Sequence, residues 1–409
     1  MEAEIERCCG LDVHQKVLVA CVLIARAGSK SEKHVRTFST VLEDLEELRN
    51  WLTSFGVTHV GMESTGIFWR PVYAELEGVF TLVVGNAYHI KNVPGRKTDV
   101  KDAEWLADLL RHGLIRPSFV PDKPIRELRD LMRYRRKLVE SRSNERNRLL
   151  KLLETANIKV SSVATDVFGV SGMAMLDALA TGQTDGTVMA ELARGRMRSK
   201  RDALRKALTG RVEEHHRFLL RVQLQRLRDV ERDLGVVDGR LDELMAPYAS
   251  QIQALQDIPG IGKLTARIII AELGPDLSSF PDEHHLAAWA GLVPGNNESA
   301  GKRLGGRLRK GNPSLKGALV EAAVSAIRTK GSYVRSKYYR LKARMGGRKA
   351  IVAIAHKLLI AVFHVLGQGA TFKDLGETYL DAHRKDRTAK HLVRRLETLG
   401  YRVTLAPAA

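Results

Sequence analysis

Apolar positions change period along this chain. Over residues 8–25 (CCGLDVHQKVLVACVLIA) and 32–40 (EKHVRTFST) they cluster or alternate as in strands, which predicts an opening three-strand meander. Residues 42–56 switch to helical spacing, with Leu42, Leu45, Leu48 and Leu52 on one face and Gly56 as a stop. VTHVGMES (57–64) and FTLVVGN (80–86) read as strands; GIFWRPVYAELEG (66–78) and DVKDAEWLADLLRHG (99–113) read as helices closed by glycine. Strands and helices interleaved in this way predict an α/β domain over 1–123, a mixed sheet with helices.

From Pro124 the rhythm becomes long and helical. Leu131, Leu138 and Leu152 share a heptad register, as do Leu220, Leu227, Leu234 and Leu241. That spacing predicts a mainly α, coiled-coil arm or helical hairpin over 124–248, with a weakly patterned insertion near 158–200. Gly235 and Gly239 argue against an unbroken second helix. A third, mainly α domain is expected over 249–367. It opens with IPGIGKLTARIIIAEL (258–273), which has the form of a helix-hairpin-helix turn whose glycines let backbone N–H groups approach a phosphate. A plain helical packing unit is the alternative. His356 and His364 lie on an apolar helix (349–367) and read as core histidines, and the charged tail 368–409 reads as a small appendage.

Charge changes this picture. The chain carries +19, and residues 301–350 hold fifteen Lys and Arg against one acid, Glu321. Such a block is the electrostatic footprint of a polyanion partner, and nucleic acid is the first candidate. Cys8, Cys9 and Cys21 form no metal or disulfide spacing. Acids at Glu2, Glu4 and Glu6 occupy the place of a signal peptide's basic region, and no apolar run of the roughly 18 residues needed for a bilayer span is read. A cytoplasmic protein is the expectation.

Four carboxylates could carry chemistry. Asp12 (GLDVH) and Glu63 (GMESTG) fall at strand ends, while Asp99 and Asp102 (KTDVKDAEWLADLL) are three apart at a helix start and share a face. Oxygen ligands of this kind suit hard divalent cations, and paired cations support phosphoryl transfer. Taken singly, each acid could equally be a turn or first-turn residue. The stretch PGNNESAGKRLGGRLRKGNPSLKG (294–317) places Ser299 among cations, with no His or Asp near it. Tyr338 and Tyr339 read as packing or phosphate-stacking groups rather than nucleophiles. Ser314 reads as a helix-start residue after Pro313, and Ser332 and Ser336 are rival serines. The pairs His215/His216 and His284/His285 lack zinc spacing and read as surface features.

GLDVH, MESTG and KTDVKDA, followed by IPGIG, AAWAGLVPGNNESAGKR and RKGNPSLKGALVEAA, resemble in that order the DEDD-type insertion-sequence transposases. That group includes the Piv-type invertases and the bridge-RNA-guided recombinases. The resemblance spans nearly the whole chain. It implies a RuvC-like, ribonuclease-H-fold first domain in which Asp12, Glu63, Asp99 and Asp102 hold Mg2+ or Mn2+, and a C-terminal transposase domain whose Ser299 attacks the DNA phosphate and forms a phosphoserine link. Relatives often read SGGK where this chain has SAGK, with Ala300 in place of glycine. The expected partners are donor and target DNA and a structured guide RNA, with a homodimer assembling to a homotetramer, no membrane, and a bacterial nucleoid location.

A serine hydroxyl needs a base or metal to attack, and its own loop supplies positive charge and no His or Asp. Activation of Ser299 is therefore expected from the acids, brought to it by domain or subunit docking. Lys302, Arg303, Arg307, Arg309 and Lys310 are candidate phosphate contacts, and Arg133 and Arg136 of the basic helix are candidate RNA or DNA contacts. Three other readings use the same residues: an RNA-independent invertase, a metal-dependent junction nuclease using water, and a DNA-binding scaffold with structural acids.

Overall fold

The computed structural model describes residues 4–25, 31–91, 102–295, 297–299, 302–383 and 385–406. The chain divides into two compact units, 1–120 and 121–409.

The first unit is a five-stranded mixed sheet. Its elements are β1 (Arg7–Val13), β2 (Val17–Ile24), β3 (Glu32–Ser39), α1 (Leu42–Ser54), β4 (His59–Glu63), α2 (Trp69–Leu76), β5 (Thr81–Gly85), α3 (Ala87–Lys91) and α4 (Asp102–Arg111). The strand order is β3-β2-β1-β4-β5. The expected meander β1–β2–β3 is antiparallel, and β4 and β5 extend it parallel to β1. Alternation along β1 splits the core in two. Cys9 and Leu11 pack with Leu45, Leu48, Leu52 and Val72 of α1 and α2, whereas Cys8 packs with Ala103, Leu106 and Ala107 of α4. Gly10 faces α4 as well. A Cβ there would lie 2.3 Å from both the Ala103 carbonyl oxygen and the Ala107 nitrogen, so the helix backbone rests directly on the strand. All three cysteines are free; burial holds the Cys9 thiol pKa well above its ordinary value and pushes those of Cys8 and Cys21 up to about 12, so they stay protonated packing groups.

The second unit is helical apart from one hairpin. α5 (Lys123–Thr155) and α10 (Glu214–Met245) form an antiparallel pair, as the ion pairs Arg135–Asp238 and Arg146–Glu231 require. Leu138, Leu152, Leu220, Leu227, Leu234 and Leu241 are buried, as the heptads predict, and α10 runs unbroken through Gly235 and Gly239. The heptad position between Leu138 and Leu152 is Glu145, only 3% exposed and held by Arg148 at 2.6 Å and Arg226 at 2.8 Å. A buried charge in a helical seam fixes register at a cost in stability. Residues 158–208 fold as α6 (Val160–Val163), α7 (Val170–Ala180), α8 (Gly186–Glu191) and α9 (Arg201–Leu208), around a core of Met175, Leu176, Leu179, Met189 and Leu204 that packs on the ends of α5 and α10.

Beyond lie α11 (Ala249–Gln256), α12 (Lys263–Leu273), α13 (Glu283–Ala290), β6 (Asn297–Ser299), β7 (Lys302–Gly305), α14 (Pro313–Ala326), α15 (Tyr333–Met345), α16 (Gly347–Gln368), α17 (Tyr379–Ala382) and α18 (Lys385–Thr398). Among the described residues α16 alone is long and apolar enough to cross a bilayer by length and composition, which corrects the expectation that no such run exists. Its Ile354, Ala355, Leu358, Leu359 and Val362 are buried, and it packs on α13, α14 and α15.

Two substitutions separate packing from propensity. Gly10→Ala should destabilise the first unit by about 1–3 kcal/mol through overpacking, whereas Gly235→Ala, where a Cβ meets open space, should stabilise α10 by up to about 1 kcal/mol. Urea unfolding of each variant against wild type measures both.

Candidate functional site

Asp12 and Glu63 leave the sheet side by side. β1 and β4 are parallel neighbours paired through Leu11 and Met62, so the next residue of each, Asp12 and Glu63, comes out at the same end. Alternation sets their face. Cys8 and Gly10 lie under α4, as does Gly61, whose Cβ would meet Leu110 and Ile115, so Asp12 and Glu63 follow on that face. α4 runs opposite to β1: Cys8 contacts Ala107, and Gly10 contacts both Ala107 and Ala103. Its first residue, Asp102, therefore lies at the end of the sheet where Asp12 and Glu63 emerge, and is exposed. Asp99 lies outside the described residues.

Two neighbours hold these acids that the sequence reading did not assign. His14 Nε2 is 3.1 Å from Asp12, whose side chain is 27% exposed, and Thr65 donates its hydroxyl to Glu63. Each stands two residues beyond its acid, inside GLDVH and MEST, so the motif strings already held them. Three carboxylates on this face are hard-oxygen donors, and by donor chemistry they suit a divalent cation of the Mg2+ type, although their oxygens are not gathered within 4.8 Å of one another. Among the described residues the one group of three ligand atoms within 4.8 Å of one another is elsewhere, at Glu213, His215 and His216. There Glu213 and His216 already cap α10 reciprocally, and His216 is buried, which corrects the reading of this pair as a surface feature. His284 and His285 also serve a helix start, with backbone N–H groups that donate to Asp282 at 2.8 Å.

Ser299 ends β6 and pairs in register with Lys302, the first residue of β7. The ladder continues downward: Gly295 N–H donates to the Arg307 carbonyl at 2.8 Å, and Pro294 and Leu308 form a bridge. Its base is clamped where Gly311 meets Gly291, the left-handed C-cap of α13 (φ 72°); a Cβ on Gly311 would lie 2.3 Å from the Gly291 nitrogen. Arg307, Arg309 and Lys310 are exposed, and Lys302 and Arg303 lie on the β7 backbone of the same hairpin.

Asn312 then starts α14 and accepts from the Ser314 and Leu315 N–H groups, so the cap is Asn312, with Ser314 inside the first turn. Its amide nitrogen donates to Glu272 at 2.6 Å. Glu272 is wholly buried on α12 and also takes Arg133 Nε at 2.9 Å and Nη2 at 2.8 Å, with Arg129 Nε at 3.3 Å. Burial alone would raise its pKa; the hydrogen bonds of Arg133 and Asn312 and the charges of Arg133 and Arg129 outweigh that and hold it below the usual carboxylate range. Arg133 is thus a structural strut, its fork committed to a buried carboxylate while its side chain stays 41% exposed. Arg136 is exposed and pairs with Glu140 at 3.2 Å.

Other candidates resolve as packing. Gly260 is wedged on α14, where a Cβ would lie 2.2 Å from the Ala322 carbonyl oxygen, whereas Gly262, the N-cap of α12, faces open space. Tyr338 is buried and Tyr339 is exposed, with Arg335 and Lys342 over its ring. Ser332 caps α15.

Two family models match the chain in order, one described as Transposase, of the DEDD IS110 type, over residues 9–158, and one as Transposase IS116/IS110/IS902 family over residues 252–340. The chain is 26% identical over 330 residues to the transposase for insertion sequence element IS1111A of Coxiella burnetii, covering 79% of this chain and 81% of that protein. It is 25% identical over 318 residues to a family 20 transposase of Pseudomonas aeruginosa, covering 76% and 83%. An insertion element IS110 protein of Streptomyces coelicolor is 31% identical over 122 residues, 29% of each chain. Asp12, Glu63 and Asp102 fall within the residues matched by the DEDD transposase model. The chain belongs to the IS110 family of insertion-sequence transposases.

Replacing Glu272 by Ala strands two guanidinium groups and an amide, and should cost the second unit about 3–5 kcal/mol. Because the folded pKa of Glu272 lies below its unfolded value of about 4.3, its contribution is fully present above that pH. The contribution is lost as pH falls through the depressed folded pKa. Urea midpoints of wild type should therefore drop below about pH 4.3, with that part of the slope missing in Glu272→Ala.

Proposed function

We propose that this chain cuts and rejoins DNA by metal-assisted phosphoryl transfer, with Ser299 as nucleophile and Asp12, Glu63, Asp99 and Asp102 as the cation-binding acids. The observation that carries the reading is the placement of Asp12, Glu63 and Asp102 at the same end of the α4 face of the sheet. The strand order, with an antiparallel meander continued by two parallel strands, supports a RuvC-like, ribonuclease-H-type fold for the first domain, 1–123. The domains that follow are the helical arm 124–248, the serine-bearing transposase domain 249–367 and the appendage 368–409.

A bound Mg2+ or Mn2+ would supply Lewis acidity at the phosphate and lower the pKa of a coordinated hydroxyl. The chain's own residues do the rest. Ser299 Oγ gives up its proton and bonds to phosphorus, while the bond from phosphorus to one deoxyribose oxygen breaks and that oxygen leaves as a hydroxyl. The reverse step, with a new strand's hydroxyl, restores the serine and conserves the number of phosphodiester bonds. Lys302, Arg303, Arg307, Arg309 and Lys310 hold the phosphate and offset its charge. The hairpin sequence carries one carboxylate, Glu298, beside Ser299 and is otherwise basic; activation of the serine is assigned to the acids of the first unit, from the same protomer or another of a dimer or tetramer. Neither the hairpin nor α5 has the form of a base-reading motif, which favours sequence choice by a paired guide RNA, with Arg136 as one contact. We place the protein in the bacterial cytoplasm, at the nucleoid.

On suicide DNA substrates with Mg2+, wild type should form a covalent protein–DNA adduct on denaturing gels. Ser299→Ala should lose the adduct, and Asp12→Ala or chelation should abolish cutting; an adduct that survives Ser299→Ala would refute the nucleophile, and cutting without adduct would favour water as attacker. Purified protein should also carry a discrete RNA whose removal stops recombination. Intact recombination by RNA-free protein would favour the RNA-independent invertase.

A further inference from the structure

The segment after α16 folds back to wall one side of α15. Asp374 accepts from the backbone N–H of Tyr333 at 2.9 Å and of Gly376 at 2.7 Å. Glu377 N–H donates to the Gly331 carbonyl at 3.0 Å, and Arg340 ties α17 down through the Leu380 carbonyl at 3.3 Å and the Asp381 carboxylate. Between the walls lies a cavity of about 450 Å³. Three rings (Tyr333, Tyr379, His383) and three cations (Lys337, Arg340, Arg344) line it, with no acid among the described residues of the lining.

The rings are ordered against one another. Tyr333 meets Tyr379 edge-on, with centroids 5.8 Å apart at 75°, and His383 lies parallel to Tyr379, 7° between planes at 5.8 Å. Tyr379 keeps 38% of its surface open, so it can still receive a partner. Rings beside cations take a nucleobase on the π-face and a phosphate on the charges. The volume lies within the range of about 300–1,000 Å³ for small-ligand pockets, far too small for a duplex. Burial, with Tyr379 nearby, raises the Tyr333 pKa, so its phenol stays a neutral donor.

We propose that this cavity binds one unpaired nucleotide of a single-stranded nucleic acid, its base against Tyr379 and its phosphate against Lys337 and Arg344. Arg340 acts chiefly as the tie to Asp381. The site shares no residue with the strand-end acids or the Ser299 hairpin, and it stands independently of the phosphoserine reading. A guide RNA and a displaced DNA strand offer the same chemistry and are distinguished by the test.

Full-length protein is irradiated with short DNA and RNA oligomers bearing one 5-iodouracil, each either single-stranded or annealed, and the crosslinked peptides are mapped by mass spectrometry. Crosslinks to Tyr333, Tyr379 or His383 are expected from single strands and are lost on annealing. Tyr379→Ala should lower their yield at least about five-fold, as loss of one base–ring stack requires, while Tyr379→Phe retains it. Arg344→Glu, an exposed change, provides a second reading that does not depend on the ring's structural role. Crosslinks with RNA alone identify a guide as the source; crosslinks with DNA alone identify a displaced strand. Equal yield from annealed oligomers, or crosslinks confined to other peptides, overturns the proposal. Ser299→Ala and Asp12→Ala proteins should crosslink like wild type, so failure of the catalytic mechanism leaves this site standing.

Discussion

One buried carboxylate holds the second unit together around its hairpin. Glu272 has no exposed surface, and burying a lone carboxylate costs several kcal/mol. The structure offsets that cost with Arg133, Arg129 and Asn312, which come from helices far apart in the sequence. Arg133 and Arg129 bring α5 onto α12, and Asn312 brings the start of α14. The hairpin with Ser299 enters and leaves at Gly291 and Gly311, and Asn312 follows at once. The height and tilt of its base are therefore tied to a charge network rather than to a loop. A loop would have left the same serine with no fixed position.

The first unit meets a comparable demand through absence of side chain. Gly10 lets the α4 backbone rest on β1, and Gly61 leaves room for Leu110 beside it. Close packing of that helix on the two central parallel strands is what carries its first residue to the strand ends. With a larger residue at position 10 the helix would ride higher, and Asp102 would leave the level of Asp12 and Glu63. The acids are thus positioned by packing several residues away from them, and they stay at the surface, where a cation and a phosphate can reach them.

Much of this architecture was legible in the chain. Apolar runs marked β1, β2, β4 and β5, alternation marked β3, and heptad leucines marked α5 and α10, because these signals are local. Acids at strand ends were legible because strand ends themselves were. Charge pairing was not. Arg133 looks like its neighbours on a basic helix, and the acid that claims it lies 139 residues away. Glu145 sits in a heptad position where pattern reading expects an apolar residue, and besides its neighbour Arg148 it is the approach of Arg226 that pairs it across the seam. Gly260 carries the sequence of a phosphate-binding turn, yet its contact is with the backbone of α14. In each case the deciding partner is distant in sequence, so no local pattern could have distinguished solvent from a buried neighbour. Asn312 is the exception: an Asn directly before Pro is a readable helix start, overlooked beside Ser314.

The same distinction changes what the basic block means. Fifteen cations between 301 and 350 look like one continuous surface for a polyanion. In the fold they separate by task. Arg340 is spent on Asp381, and Arg335 and Lys342 lie over the ring of Tyr339. Arg307 and Arg309 flank the Pro294–Leu308 bridge, two residues apart and exposed at the base of the serine hairpin. Lys337 and Arg344 line the cavity beside Tyr379. A uniform basic surface would hold any nucleic acid in many registers, since phosphate contacts position without specifying. Cations grouped at the base of a hairpin and in a ring-lined cavity would instead give two short, separate grips. Two grips on one strand would constrain its path between them, and that constraint, rather than net charge, is what would bring a chosen phosphate to the serine.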